Sequence, residues 1–407
     1  MKNIPLEVRG PLNVAFLITS MPVGGAETLL VNLMRRMDPE RMVPQVVCMK
    51  ERGPLGEVLS SEFKVHSDLI RHRYDLGIVP KLQRLFRAQA INAVVTVGAG
   101  DKMFWGRLAA RGCSLPVVLS ALHSTGWPDG VGFANRLLTP MTDAFIAVAK
   151  SHGRFLVDFE KFPARKVEVI PNGIDTDRFR FDLTARSQIR EQWGWSNDVP
   201  VCGIVAALRP EKNLQLYLES AAKVVQGLPN AGFVIVGGGP EEASLRAKVD
   251  SLGIAANVRF LGSRSDIPEI LSGLDLFALS SDNEASPVSI LEAMSIGLPV
   301  VCTDVGSVRE SVLVDQTGFV VPVGDAQSMS QAWLRLLSNR AESKQFGLHA
   351  RQHVVQNNSL NSMTQGYMSL IETIYQSKAK GHAYHSRSLP MLQDEVLNLN
   401  SATASKG

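Results

Sequence analysis

Short apolar runs rich in β-branched residues alternate along the chain with longer stretches whose apolar positions recur every three to four residues. The short runs are NVAFLIT, VPQVVCM, INAVVTVG, LPVVLSAL, DAFIAVA and VEVIP, then PVCGIVAAL, GFVIVGGG, VRFLG, LFALSS, PVVCTD and GFVVPV. A run apolar at consecutive positions suits a strand covered on both faces, and a helical stretch between two such strands is the crossover of a βαβ unit. The alternation therefore predicts an α/β protein with two doubly wound parallel sheets. Between the two sets, DRFRFDLTARSQIREQWGWSND carries no strand pattern and precedes a fresh strand, which puts the joint near residues 176–198. We expect domains over 1–180 and 181–358. In SLNSMTQGYMSLIETIY, Met363, Tyr367, Leu370 and Ile374 share one helical face, predicting an amphipathic helix over 359–380 that packs on the body. Beyond Lys380 the periodicity is lost, and 381–407 reads as a disordered tail.

Composition narrows the class. A chain of 407 residues, 45% hydrophobic and 20% charged, is globular rather than fibrous or disordered, and long enough for two cores. No apolar run approaches the roughly 18–20 residues that span a bilayer, and MKNIPLEVRGPLN has no signal-peptide core. Cys48, Cys113, Cys202 and Cys302 form no CxxC pair, as in a reducing compartment. The expectation is a cytoplasmic protein. Residues 1–180 hold 24 Lys+Arg against 17 Asp+Glu, whereas the rest holds 18 against 22. That asymmetry would suit an N-terminal domain meeting an anionic surface, such as the cytoplasmic face of a membrane; scattered solvated charge is the plainer and favoured reading. No nucleic-acid partner is expected.

Ligands of open α/β sheets sit beyond the carboxyl ends of the strands, where loops enter helix N-termini. Four such loops hold candidate chemistry. SMPVGGAETLL places Gly24 and Gly25 before an amphipathic helix, where backbone N–H groups can meet a phosphate or sugar; a tight turn explains them too. A dinucleotide fingerprint is not complete there, because the third glycine of GxGxxG is missing. VVLSALHS brings His123 to a strand end, in a functional or a merely structural role. AALRPEKNLQLYL sets Arg209 and Lys212 before a helix, suited to a diphosphate, or to water as ordinary surface charge. In SSDNEASPVSILEAMSIG, Ser286 is expected to cap a helix that Pro287 and Val288 begin and Gly297 ends. Side chains lean toward a helix N-terminus, so Glu292 points back toward Glu284, and two carboxylates can flank one ligand. They would accept from the vicinal hydroxyls of a ribose or sugar, while the first free N–H groups suit a phosphate; two unrelated glutamates would have the same spacing. Asp175-Thr176-Asp177 spells a metal-binding DxD, but its place after VEVIPNGI favours a turn, and no metal is expected.

Taken in order, GGAE, His123, PNGID, LRPEKN, VGGGP, FLGSRSDI, the E-x7-E pair with its central proline, and GLPVVCTDVGS resemble the GT4 group of glycosyltransferases of the GT-B fold over roughly residues 12–375. The resemblance implies two Rossmann-like domains facing an interdomain cleft, the N-terminal one binding an acceptor and the C-terminal one a nucleoside-diphosphate sugar. It further implies that helix 359–380 returns toward the N-terminal domain. Carried over by motif, Glu284 contacts the donor sugar and Glu292 the ribose. Arg209 and Lys212 hold the diphosphate, with Ser286, Pro287 and Val288 at the helix start beside it. Gly25 lies against donor phosphate or sugar, His123 near the reacting sugar, and the loop of Arg264 by the base. The implied reaction is a retaining transfer to a hydroxyl acceptor, with a lipid-linked or polysaccharide glycan the expected kind. It uses no cofactor and no metal, the two cations serving as the electrostatic clamp. Two positions depart from the family pattern: Ala207, where many members carry arginine, and Ala285, where glycine often follows the first glutamate. Two other readings use the same cleft, a nucleotide-sugar epimerase of this fold and a non-catalytic nucleotide-sugar-binding protein.

Overall fold

The computed structural model describes residues 9–70, 75–98, 100–123 and 132–386. They divide into two compact units, one built from the chain up to Asn172 together with the segment from Leu360, the other from Gly173–Ser359. The first holds a seven-stranded sheet in the order β3-β2-β1-β4-β5-β6-β7. Its strands are β1 Leu12–Ile18, β2 Met42–Cys48, β3 Val65–His66, β4 Ala93–Val97, β5 Val117–Leu122, β6 Ala144–Ala147 and β7 Val167–Val169. The second holds a six-stranded sheet, β10-β9-β8-β11-β12-β13. These are β8 Val201–Val205, β9 Gly232–Val236, β10 Val258–Gly262, β11 Leu276–Leu279, β12 Val300–Thr303 and β13 Gly318–Val321. Each of the twelve apolar runs contains one strand, and every adjacent pair is parallel. Strands β4, β5 and β9 are buried at every position, because helices cover both faces of each sheet. Among the described strands only β3, two residues long, lacks an apolar run, and the sequence reading misses it.

The strand order fixes where ligands can bind. In each sheet the chain winds outward on one side of its first strand and then returns to wind outward on the other. The reversals fall between β1 and β4 and between β8 and β11, and crossover helices diverge there, leaving a crevice at the carboxyl edge.

Two boundaries differ from expectation. The division falls after Asn172 rather than at 180, since Ile174 and Phe179 pack with Ile189 and Trp193 in a core of the second unit. The segment assigned to the joint contains the helix Leu183–Trp193, capped by Asp182, whose side chain accepts from Thr184 N and Ala185 N, and ended by Gly194 at φ +75°. At the C-terminal end, the helix Leu360–Ala379 buries Met363, Tyr367, Leu370 and Ile374 and packs on Gly25–Arg36 within the first unit. A fork from Arg41 to Glu372, at 2.9 and 2.6 Å, ties it down. Residues 381–386 depart from the disordered-tail reading: Ser386 N donates to Arg165 O, and Tyr384 donates to Glu168 at 2.9 Å beside β7. The rest of that expected tail, 387–407, lies outside the described residues. Among the described residues no helix is long and apolar enough to cross a membrane.

Candidate functional site

At the switch point of the second sheet, the loops leaving β8 and β11 are laced together. The β8 loop rests on the glycine run after β9: a Cβ at Gly237 would strike the Ala206 carbonyl, and one at Gly239 the Leu208 carbonyl, while Leu208 N donates to Gly238 O at 3.0 Å. These glycines support the neighbouring loop. The loop turns through Pro210–Lys212 and ends at Asn213, which takes the left-handed conformation at φ +44° and caps the helix Leu214–Gly227 through Leu216 N. Three bonds join it to the β11 loop: Ser280 Oγ to Lys212 O at 3.0 Å, Asp282 N to Glu211 O at 2.9 Å, and Asn213 Nδ2 to Asp282 Oδ1 at 2.8 Å.

Two of the predicted residues meet directly across this lacing. Lys212 Nζ lies 2.5 Å from Glu284 Oε1, with the side chains 23% and 10% exposed. Ser281 Oγ donates to the same oxygen at 2.7 Å. From the β12 side, Gly306 at φ +51° leaves room for the Glu284 carbonyl, with which a Cβ would collide, and Ser307 N donates to Ala285 O at 3.2 Å. Ala285 is buried and keeps negative φ, so its methyl does not strain the backbone there.

The helix that follows is Val288–Ile296, ended by Gly297 at φ +93°. Pro287, not Ser286, holds its cap position, because ψ of 115° keeps the proline extended; the helix starts one residue later than expected. Ser286 and Val288 are half-buried and Pro287 is buried. The first N–H groups of this helix have no intrahelical partner by geometry, and they form its positive end. Glu292 lies in its second turn, half-buried, and burial pushes its carboxyl up to about 7 against the opposing pull of Arg178. Arg209 is exposed, on extended backbone at φ −125°. Arg264 follows β10, two strands from β8, and its guanidinium is engaged by Asp266, with Nε 2.7 Å from Oδ1. The structure thus brings Lys212 and Glu284 together on the loops that lead into two helices, and sets Arg264 apart along the sheet edge.

Gly25 and His123 belong to the first unit. Gly25 opens the helix Gly25–Arg36 after β1, exposed and with open space where a Cβ would stand. Gly24 is the tighter position, since a Cβ there would meet the Glu27 carboxylate. Neither glycine has positive φ, so no special turn requires them. His123, half-buried beyond β5, stands beside Phe16, Ala26, Val97 and Tyr367. Burial depresses its imidazole to about 4, helped by the charges of His152 and Lys102, so the ring is neutral at neutral pH. Asp175 of the DxD accepts at Oδ1 from Asp177 N and Arg178 N, both at 3.1 Å, as a turn residue does.

Sequence reasoning missed Ser281, Thr303 and the bracing role of Gly237, Gly239 and Gly306. The signal for Ser281 was its place three residues before Glu284; nothing in one sequence pointed to the others.

Known proteins share this architecture. Residues 185–353 match the family model described as "Glycosyl transferases group 1", and residues 23–178 match "Glycosyltransferase Family 4". The chain is 25% identical over 340 residues to a UDP-Gal:alpha-D-GlcNAc-diphosphoundecaprenol alpha-1,3-galactosyltransferase of Escherichia coli, covering 79% of this chain and 87% of that one. It is 28% identical over 293 residues to a GDP-mannose-dependent alpha-(1-6)-phosphatidylinositol monomannoside mannosyltransferase of Mycolicibacterium smegmatis, covering 69% and 76%. The crystal structure of Anabaena HepE in complex with UDP-glucose superposes with a TM-score of 0.79 at 21% identity, covering 89% of this chain and all of that one, a likeness of fold.

Proposed function

We propose that this chain, which belongs to the GT4-type glycosyltransferases of the GT-B fold, carries out a retaining, metal-independent transfer of a sugar from a nucleoside diphosphate to a hydroxyl of a lipid-linked glycan. One observation carries the reading of the site: the cation on the β8 loop and the carboxylate on the β11 loop meet at 2.5 Å, beside a helix N-terminus at the switch point of the second sheet. A nucleoside-diphosphate sugar presents the matching chemistry, with phosphates for Lys212, Arg209 and the helix N–H groups, sugar hydroxyls for Glu284 and ribose hydroxyls for Glu292. The loop of Arg264 then serves the base through its backbone, since the side chain is turned to Asp266.

In this reading the bond between the sugar's anomeric carbon and the diphosphate oxygen breaks, and its electron pair stays on the phosphate. Lys212 and Arg209 stabilise that growing charge, the service a divalent cation gives elsewhere. The acceptor oxygen bonds to the anomeric carbon from the same face and passes its proton to the departing phosphate. Gly25 and His123 belong to the first unit, and His123 is a neutral hydrogen-bonding group suited to a reacting sugar because it would add no charge beside an oxocarbenium-like centre. The E. coli and M. smegmatis relatives are named for acceptors on an undecaprenol diphosphate and a phosphatidylinositol, which favours a lipid-linked acceptor here. The basic excess of residues 1–180 fits peripheral contact with an anionic membrane surface, where such an acceptor resides.

The test is nucleoside-diphosphate release from UDP-glucose, UDP-galactose, UDP-N-acetylglucosamine and GDP-mannose, with and without lipid extract and EDTA. One donor is expected to be consumed far faster than the others, only with extract present, and with no loss in EDTA. Loss in EDTA would overturn the metal-free mechanism alone. An epimerised sugar without acceptor would favour the epimerase, and no release from any donor would contradict transfer.

A further inference from the structure

Both hydrogen bonds to Glu284 arrive at one oxygen. Lys212 Nζ and Ser281 Oγ lie 2.5 and 2.7 Å from Oε1, and neither bond uses Oε2. Ser281 is fully buried and is held from behind, its carbonyl accepting the hydroxyl of Thr303 at 2.5 Å. Thr303 is the last residue of β12 and is itself fully buried, so this support stands on the sheet rather than on a loop.

The terminal torsion of a glutamate is broad and two-fold, so an unheld carboxylate samples many orientations. A serine hydroxyl has one proton to give; spent on Oε1, it fixes the carboxylate plane and leaves Oε2 to receive a ligand hydroxyl. Lys212 is shared, because the diphosphate assigned to it competes with Glu284 for the same ammonium. Without a second donor, a carboxylate only 10% exposed would lose its partner whenever Lys212 turned to the phosphates.

We infer that Ser281 is a positioning residue of the sugar site: it orients Glu284 toward the donor sugar and keeps Oε1 satisfied when Lys212 moves to the diphosphate. This rests on the assignment of Glu284 to the sugar. Ser281 then acts only through Glu284, which a double-mutant cycle reads directly.

Ser281→Ala, Ser281→Cys, Glu284→Ala and the double alanine variant are compared for transfer from whichever of the four donors turns over fastest, and for affinity to its nucleoside diphosphate. Ser281→Ala is expected to lower kcat/KM roughly ten- to hundredfold, the span of a hydrogen bond to a charged group, with nucleoside-diphosphate affinity unchanged. The cysteine, a weaker donor of similar size, should recover part of that loss. In the Glu284→Ala background the serine change should cost nothing more. Equal losses in both backgrounds, or full activity in Ser281→Ala, would overturn the inference while leaving the transferase reading intact. Full activity in Glu284→Ala would instead bring down the sugar assignment and this inference with it. Melting temperature and nucleoside-diphosphate affinity serve as the fold control, and the cysteine variant carries the test if the alanine variant does not fold.

Discussion

Replacing Lys212 by methionine is expected to lower kcat by about 10²- to 10³-fold, the range for removing one group aimed at charge that develops in a transition state. Two effects combine in this variant. The departing diphosphate would lose the cation proposed to hold it, and Glu284, 10% exposed, loses its ion-pair partner. Stripping one member of a fully buried pair costs about 3–5 kcal/mol; Lys212 is partly exposed and Ser281 still donates to Oε1, so the cost here should fall below that range. Calorimetric melting alongside steady-state kinetics separates the two. Lys212→Met should lose both Tm and turnover, whereas Arg209→Met should lose turnover with Tm unchanged, since Arg209 is exposed. Wild-type turnover in Lys212→Met would show that the ion pair is structural and that the diphosphate is held elsewhere.

The second large effect is expected at Glu292. Its carboxyl titrates near 7, raised from 4.5 by burial, and only the ionised form can accept from both hydroxyls of a ribose without donating. Nucleoside-diphosphate affinity should therefore climb between pH 6 and 8 in the wild-type protein, by roughly tenfold for each 1.4 kcal/mol gained. Glu292→Gln should bind about ten- to hundredfold more weakly at pH 8 and show no such climb. Stability should move the other way. A folded-state pKa above the unfolded value means that the carboxyl's contribution is fully present below pH 4.5 and is lost as the pH rises through about 7. Glu292→Gln should thus be more stable than wild type at pH 8, by about 1–3 kcal/mol, and no more stable at pH 4. Titration calorimetry across pH together with thermal melting reads both signs; unchanged affinity at pH 8 would contradict the ribose assignment.

Much of the fold was legible because parallel strands buried on both faces leave continuous apolar runs. What escaped was written in polar residues or in too few positions. The helix Leu183–Trp193 reads as a linker because Arg190 takes one of its interior positions, where it is buried and paired with Asp275 at 2.6 Å. β3 is too short for any pattern to register. At the site, the contact between Lys212 and Glu284 joins positions 72 apart and exists only because β8 and β11 are neighbours. A glycine near a site can make room for a ligand or for an adjacent loop, and Gly237, Gly239 and Gly306 make room for the backbone of an adjacent loop. A single sequence cannot distinguish those two reasons for lacking a side chain.

The most direct test of a donor site on the β8 and β11 loops is amide hydrogen exchange with and without saturating nucleoside diphosphate, UDP and GDP tried in turn. One of the two should slow exchange in the second unit over 206–213, 262–267 and 281–292 and leave the amino ends of its strands unchanged. Protection by neither nucleotide, or protection in the second unit that bypasses these segments, would contradict the account.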